Sequence, residues 1–169
     1  QATDEYFILW EPRDRVGGDL YWCKPWGLGK LLALGDCTGH GVPGAFMTMI
    51  ANGALEMATL ETMPGDVSTL LQRSHQLIQE ALNQNADDST SNDGLDLGVC
   101  YIPPGAKTMT FAGAQFSLFH AAGDDVTEIK GDRKGIGYRR VPHNATFKAH
   151  EIQTGDESRY YMTSDGLTD

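Results

Sequence analysis

The chain has 169 residues and a formal charge of −10, with 13 Lys and Arg against 23 Asp and Glu. That balance argues against nucleic acid or an anionic membrane surface as partner, since both need a basic face. The length suits one domain, 1–169, with a substantial core.

Cys23, Cys37 and Cys100 show no Cys-x-x-Cys spacing, which points to a reducing, cytoplasmic setting rather than a disulfide framework. No apolar run approaches the ~20 residues of a membrane span. The chain starts without Met and stops directly after a motif, so it reads as a piece of a larger signalling protein whose anchor could lie elsewhere.

Residues 5–10 hold Tyr6, Phe7, Ile8, Leu9 and Trp10 and predict a short buried strand, ended by Pro12. Arg13-Asp14-Arg15 is a charged link, and Gly17-Gly18 lets the backbone bend. A hairpin follows over 19–36, turning at Gly27-Leu28, because glycine fits the first central position of a type II′ turn. That turn sets the register. Trp26 faces Gly29, Cys23 faces Leu32, Tyr21 faces Leu34 and Asp19 faces Asp36. Two directly opposed carboxylates repel. A chain that keeps both predicts a cation between them, and hard divalent ions suit oxygen ligands.

A helix is predicted over 43–60, with Pro43 at its first position and Phe46, Met49, Ile50, Gly53, Ala54 and Met57 at helical spacing. Its methionines read as core filler. Asp66 is placed to cap a second, amphipathic helix carrying Val67, Leu70, Leu71, Leu77, Ile78, Ala81 and Leu82. Residues 83–94 are polar and acidic and read as a mobile loop, with Asp87-Asp88 as solvated surface. Strands are then predicted over 95–102, 107–112, 116–121, 126–130, 146–153 and 159–163. Many strands and two central helices define an α+β sandwich, helices covering antiparallel sheets.

The last strand runs into Ser164-Asp165-Gly166. If that strand neighbours the hairpin, Asp165 joins Asp19 and Asp36 at one rim. Three carboxylates there would hold one or two hard cations, the arrangement that clamps an in-line phosphoryl displacement.

Val-Gly-Gly-Asp-Leu-Tyr at 16–21, Gly-Asp-Cys-Thr-Gly-His-Gly-Val-Pro-Gly-Ala at 35–45 and Thr-Ser-Asp-Gly-Leu-Thr-Asp at 163–169 resemble the signature of the SpoIIE-type phosphatases. These are the bacterial branch of the metal-dependent, type 2C protein serine/threonine phosphatases. The resemblance implies an α-β-β-α sandwich with two Mn²⁺ or Mg²⁺ ions at one sheet edge. Asp36 would bridge the ions, the Cys37 backbone carbonyl would ligate one, and Asp19 and Asp165 would complete the site. It further implies hydrolysis of phosphoserine or phosphothreonine on a small STAS-domain protein (an anti-sigma-factor antagonist) by metal-activated water. Upstream sensor domains would gate the activity. The family's further metal aspartate falls in a strand after the last motif, beyond Asp169. The family's Ala-Gly-His-Asn-Pro is here Ala112-Gly113-Ala114-Gln115-Phe116, without the histidine.

His40 is read as shaping the loop, with proton donation to the leaving oxygen as a second role. The amino terminus of the first helix would attract phosphate. Two other classes compete: an enzyme with Cys37 as nucleophile and His40 nearby, and a non-catalytic phosphoprotein-binding module of the same fold. The first lacks the Arg a cysteine phosphatase needs after its nucleophile. Regulation is expected through the two helices, by upstream domains or homodimerisation.

Overall fold

The computed structural model describes residues 6–11, 16–84, 91–105, 107–155 and 158–165. Strands β1 (Asp19–Trp26) and β2 (Gly29–Cys37) form the hairpin, in the expected register from Trp26 opposite Gly29 to Asp19 opposite Asp36. Gly27 takes φ +60°, the left-handed conformation that the turn demands and that glycine adopts at no steric cost. The order continues with α1 (Gly41–Glu61), α2 (Val67–Ala81), β3 (Leu95–Ile102) and β4 (Thr108–Ala114). It ends with β5 (Ser117–Ala122), β6 (Asp125–Lys130), β7 (Ala149–Gln153) and β8 (Ser158–Tyr161).

Two antiparallel sheets result, β1-β2-β3-β4-β7 and β6-β5-β8. Side chains alternate across a strand, so the larger sheet presents two different faces. On one, Leu20, Trp22, Leu31, Ala33, Leu97 and Val99 pack with Ala51, Leu55, Leu70, Leu71 and Ile78 of the helices. On the other, Cys100, Met109 and Phe111 meet Leu118 of the smaller sheet, flanked by Leu32, Ile129 and Tyr160. Each fully buried Leu, Ile or Phe contributes roughly 1.5–3 kcal/mol, so both interfaces hold the layers together. The fold is the expected α+β sandwich; among the described residues both helices lie on the larger sheet.

Helix α2 is capped as expected, the Asp66 carboxylate accepting from the Thr69 amide at 3.0 Å. Helix α1 departs from expectation in its phase. Phe46, Met49 and Met57 are 62%, 70% and 48% exposed, while Gly44, Met47, Ala51, Ala54, Leu55 and Ala58 face the sheet. The helix is apolar nearly all round, so spacing alone does not say which stripe is inward. The small residues Gly44, Ala51, Ala54 and Ala58 win because they let the helix axis approach the strands. Met47 fills the core as expected; Met49 and Met57 do not.

Residues 6–10 form no strand, and Tyr6, Phe7, Ile8, Leu9 and Trp10 are all exposed. Five apolar residues without alternation specify neither a face nor a partner strand. Trp10 rests on Tyr21 of the edge strand, ring centroids 5.4 Å apart. Pro12, Arg13-Asp14-Arg15 and Asp87-Asp88 lie outside the described residues. The polar stretch after α2 is tied down at both of its described ends: Gln84, buried, donates to the Asp93 and Gly137 carbonyls at 2.6 and 2.8 Å.

Candidate functional site

Register builds the site. Asp19 is paired with Asp36, and Asp36 in turn with Asp96 on β3. Asp36 and Asp96 are even-numbered, like Leu32 and Cys100, so they share the face turned toward the smaller sheet. Asp19 alternates with the helix-facing Leu20 and Trp22 and falls on that same face. Three carboxylates on adjacent strands thus stand in a row, neighbouring Cβ atoms roughly 4.5–5.5 Å apart.

Asp165 arrives by a different route from the one expected. Strand β8 ends at Tyr161 and pairs with β5 in the smaller sheet, not with the hairpin. Asp165 lies just past it, at the end of the opposing layer, close enough for its carboxyl group to raise that of Asp36. Its charge also bears on Asp19 and Asp96. The carboxylates therefore meet across the sandwich rather than along one sheet edge.

The electrostatics are those of crowded, partly desolvated acids. Burial, then the charges of Asp19 and Asp165, pushes Asp36 up to about 7. Burial and the charge of Asp165 push Asp96 up to about 6, against the opposing pull of the Tyr138 hydroxyl and Arg140. Asp19 is raised by burial and by Asp165. One oxygen of Asp96, Oδ1, is buried with no hydrogen-bond partner. An orphaned carboxylate oxygen on the residue paired with Asp36 is the polar atom a cation would satisfy. Among the described residues no three such side chains already close on one ion position; the donors are adjacent and mutually repelling. An all-oxygen donor set fits hard divalent ions rather than soft ones.

The loop after β2 is held by close backbone packing. A Cβ on Gly18 would lie 2.7 Å from the Cys37 carbonyl oxygen, and one on Gly44 2.4 Å from that of Gly39. Only glycine lets the 16–18 segment, the loop and the start of α1 close together. The Thr48 hydroxyl completes this knot, 3.0 Å from the Gly18 carbonyl and 3.1 Å from that of Gly44. The Cys37 side chain points into the helix-facing core, and burial pushes its thiol up to about 12. His40 stands exposed at the amino end of α1, and its side chain makes no capping hydrogen bond.

Sequence reasoning singled out Asp19, Asp36, Cys37 and Asp165 and missed Asp96. The signal was present: Leu95-Asp96-Leu97 places one acid inside an apolar strand that pairs with β2.

Residues 29–169 match the family described as Stage II sporulation protein E (SpoIIE). The SiaA-PP2C domain of Pseudomonas aeruginosa is 34% identical over 95% of this chain and 60% of that one, with a TM-score of 0.81. The PP2C phosphatase domain of SpoIIE from Bacillus subtilis, solved with a fragment of its regulatory domain, is 19% identical, covering 91% of this chain and 42% of that chain, TM-score 0.68. RsbX in complex with magnesium is 16% identical, covering 92% and 69%, TM-score 0.65. No curated protein matches the chain. The sandwich and its acidic rim define a PP2C-like phosphatase fold. The chain belongs to the SpoIIE family. It spans about three fifths of the SiaA domain it matches, 60% of that length.

Proposed function

We propose that this domain is a metal-dependent phosphoprotein phosphatase that hydrolyses phosphoserine or phosphothreonine on a small regulatory protein of the STAS kind. The observation that carries the reading is the meeting of Asp36 with Asp165 from the opposite sheet, between Asp19 and Asp96. Four acids held close enough together that burial and their neighbours' charges raise Asp19, Asp36 and Asp96 make sense around cations. Asp19, Asp36, Asp165 and the Cys37 carbonyl would hold two Mn²⁺ or Mg²⁺ ions, with Asp96 contributing its unpartnered oxygen. Such ions, when bound, acidify water and offset charge on a phosphoryl group. The chain's own part is positional. Asp36 is centred in the row by its two strand partners, and Asp165 closes the site from the far layer. The first turn of α1 carries no acidic residue, which leaves its amide groups available to an anion.

A cysteine nucleophile is disfavoured, because a thiol pushed up to about 12 inside the core is not a thiolate at neutral pH. The non-catalytic binding module differs by one measurement, metal-dependent phosphate release from a phosphoserine peptide. Asp36→Asn is expected to lower that rate at least about hundredfold, since even outer-shell partners of metal ligands are worth 10–100-fold. Wild-type rate in the variant would remove the bridging role.

Regulation is proposed to act through α1 and α2, which lead directly from the metal loop. Val42, Phe46, Met49 and Leu60 leave an exposed apolar stripe on α1, consistent with cover from upstream domains or a second copy. Among the described residues no helix is long and apolar enough to cross a membrane; a cytoplasmic location is part of the proposal. Equal activity of this domain and of the longer protein across stimuli would count against gating.

A further inference from the structure

The connection from β6 to β7 carries a charge pattern opposite to that of the rest of the chain. Of the 13 Lys and Arg, four (Arg133, Lys134, Arg139 and Arg140) fall within eight residues. Three of them, Arg133, Lys134 and Arg140, line a cavity of about 270 Å³ together with Gln115, Gly135, Val141 and Pro142. Among the described residues none that is acidic lines it. The carboxylate on the same connection, Asp132, pairs with Lys134 at 3.4 Å and accepts from the Lys148 amide at 2.8 Å, so Lys134 enters the pocket partly compensated, while Arg133 stands exposed. Drug-sized ligands take roughly 300–1,000 Å³, so this cavity suits a single side chain.

The pocket abuts the acidic rim. A Cβ on Gly135 would lie 2.7 Å from Asp96 Oδ1, so Gly135 is a wall common to both. The Tyr138 hydroxyl lies close enough to favour the charged form of Asp96, and Arg140 lies over the Tyr138 ring at 5.6 Å.

The pocket is also rigid. Gln79 donates to the Tyr138 and Val141 carbonyls at 2.8 and 2.9 Å. His75 accepts from the Gly137 amide at 2.9 Å, which leaves its other nitrogen to donate to the Pro142 carbonyl at 3.0 Å. Burial lowers the pKa of His75, in keeping with this neutral tautomer. Gln115, which also lines the pocket, takes φ 54°, a left-handed conformation, in the short turn between β4 and β5. Preorganised cations bind an anion without first paying to order themselves.

We propose that Arg133, Lys134 and Arg140 receive an acidic side chain of the substrate polypeptide, adjacent to the phosphorylated residue. The phosphoryl group itself belongs at the carboxylates; the pocket, on the other side of Gly135, takes its neighbour. This inference rests on the phosphatase reading and makes the substrate an acidic-flanked phosphoprotein.

The test uses two phosphoserine peptides, identical except for Glu or Lys on both sides of the phosphoserine. kcat/KM is measured with Mn²⁺, and Kd by fluorescence anisotropy in chelator, where turnover does not interfere. The wild-type chain is expected to prefer the Glu peptide about tenfold in both, the scale of two partly exposed ion pairs. Arg133→Glu/Lys134→Glu is expected to invert the preference, and Arg133→Ala, at an exposed position, to reduce it. Inversion is a readout that a merely structural role would not give. Equal kcat/KM and equal Kd for the two peptides would overturn the pocket and leave the phosphatase reading intact. Preferential binding of the Glu peptide without hydrolysis of either would sink the phosphatase reading and keep the pocket.

Discussion

The acidic rim and the basic pocket lie on either side of Gly135 and are built in opposite ways. The rim is a product of strand register. Asp19, Asp36 and Asp96 are neighbours because three antiparallel strands put them there. The pocket has no such periodic origin. It exists because irregular backbone is pinned to α2 by buried polar side chains, His75 and Gln79, and by Gln84 just beyond the helix. Such groups are only tolerated when fully hydrogen-bonded, so their number here measures how firmly this connection must be held. A sheet supplies repulsive acids at fixed spacing; a loop supplies cations whose placement can be tuned without disturbing that sheet.

Beyond Asp36→Asn, the largest effect that separates the two regions is expected from Asp96→Asn. Removing its charge should weaken Mn²⁺ binding about 10–100-fold, measured by calorimetry, in line with losses of metal-supporting groups. The same change should raise the melting temperature in chelator at pH 8, because it removes one of the repelling charges. Opposite signs for the two measurements are the signature of a cation site. A fall in both would make Asp96 a plain structural residue.

Gly135→Ala strikes the shared wall. Its Cβ would stand 2.4 Å from the Tyr138 ring as well as 2.7 Å from Asp96 Oδ1. Overpacking of this order costs about 1–3 kcal/mol, read by denaturant unfolding. Unchanged stability would mean that rim and pocket are less tightly joined than their contacts indicate.

The smallest effect is a pH slope. Asp36 and Asp96 hold their protons more tightly folded than unfolded, at about 7 and about 6 against an ordinary 3.8. Their contribution in chelator is therefore full below about pH 4 and is lost as pH rises through 6 to 7. The melting temperature in chelator should fall over that window, and saturating Mn²⁺ should flatten the fall by binding the folded state. An identical slope with and without Mn²⁺ would argue that the ion does not bind at these carboxylates.

The sequence by itself determined the hairpin, its register and so the Asp19–Asp36 opposition, because a two-residue turn with glycine first leaves one pairing. It also determined the Asp66 cap and, from residue 19 onward, the succession of strands and helices, since local hydrogen bonding and alternation are short-range properties; the strand expected over 5–10 did not form. What only tertiary structure decided was which face of α1 is buried, where Asp165 sits and that Asp96 belongs to the rim. Helix α1 is apolar on both sides, and the choice fell to whichever stripe packs closest. Strand β8 pairs with β5, so Asp165 reaches Asp36 from across the sandwich, by layer packing that no spacing along the chain records. The basic pocket needed the same long-range closure, with α2 reaching residues about sixty positions downstream to hold it.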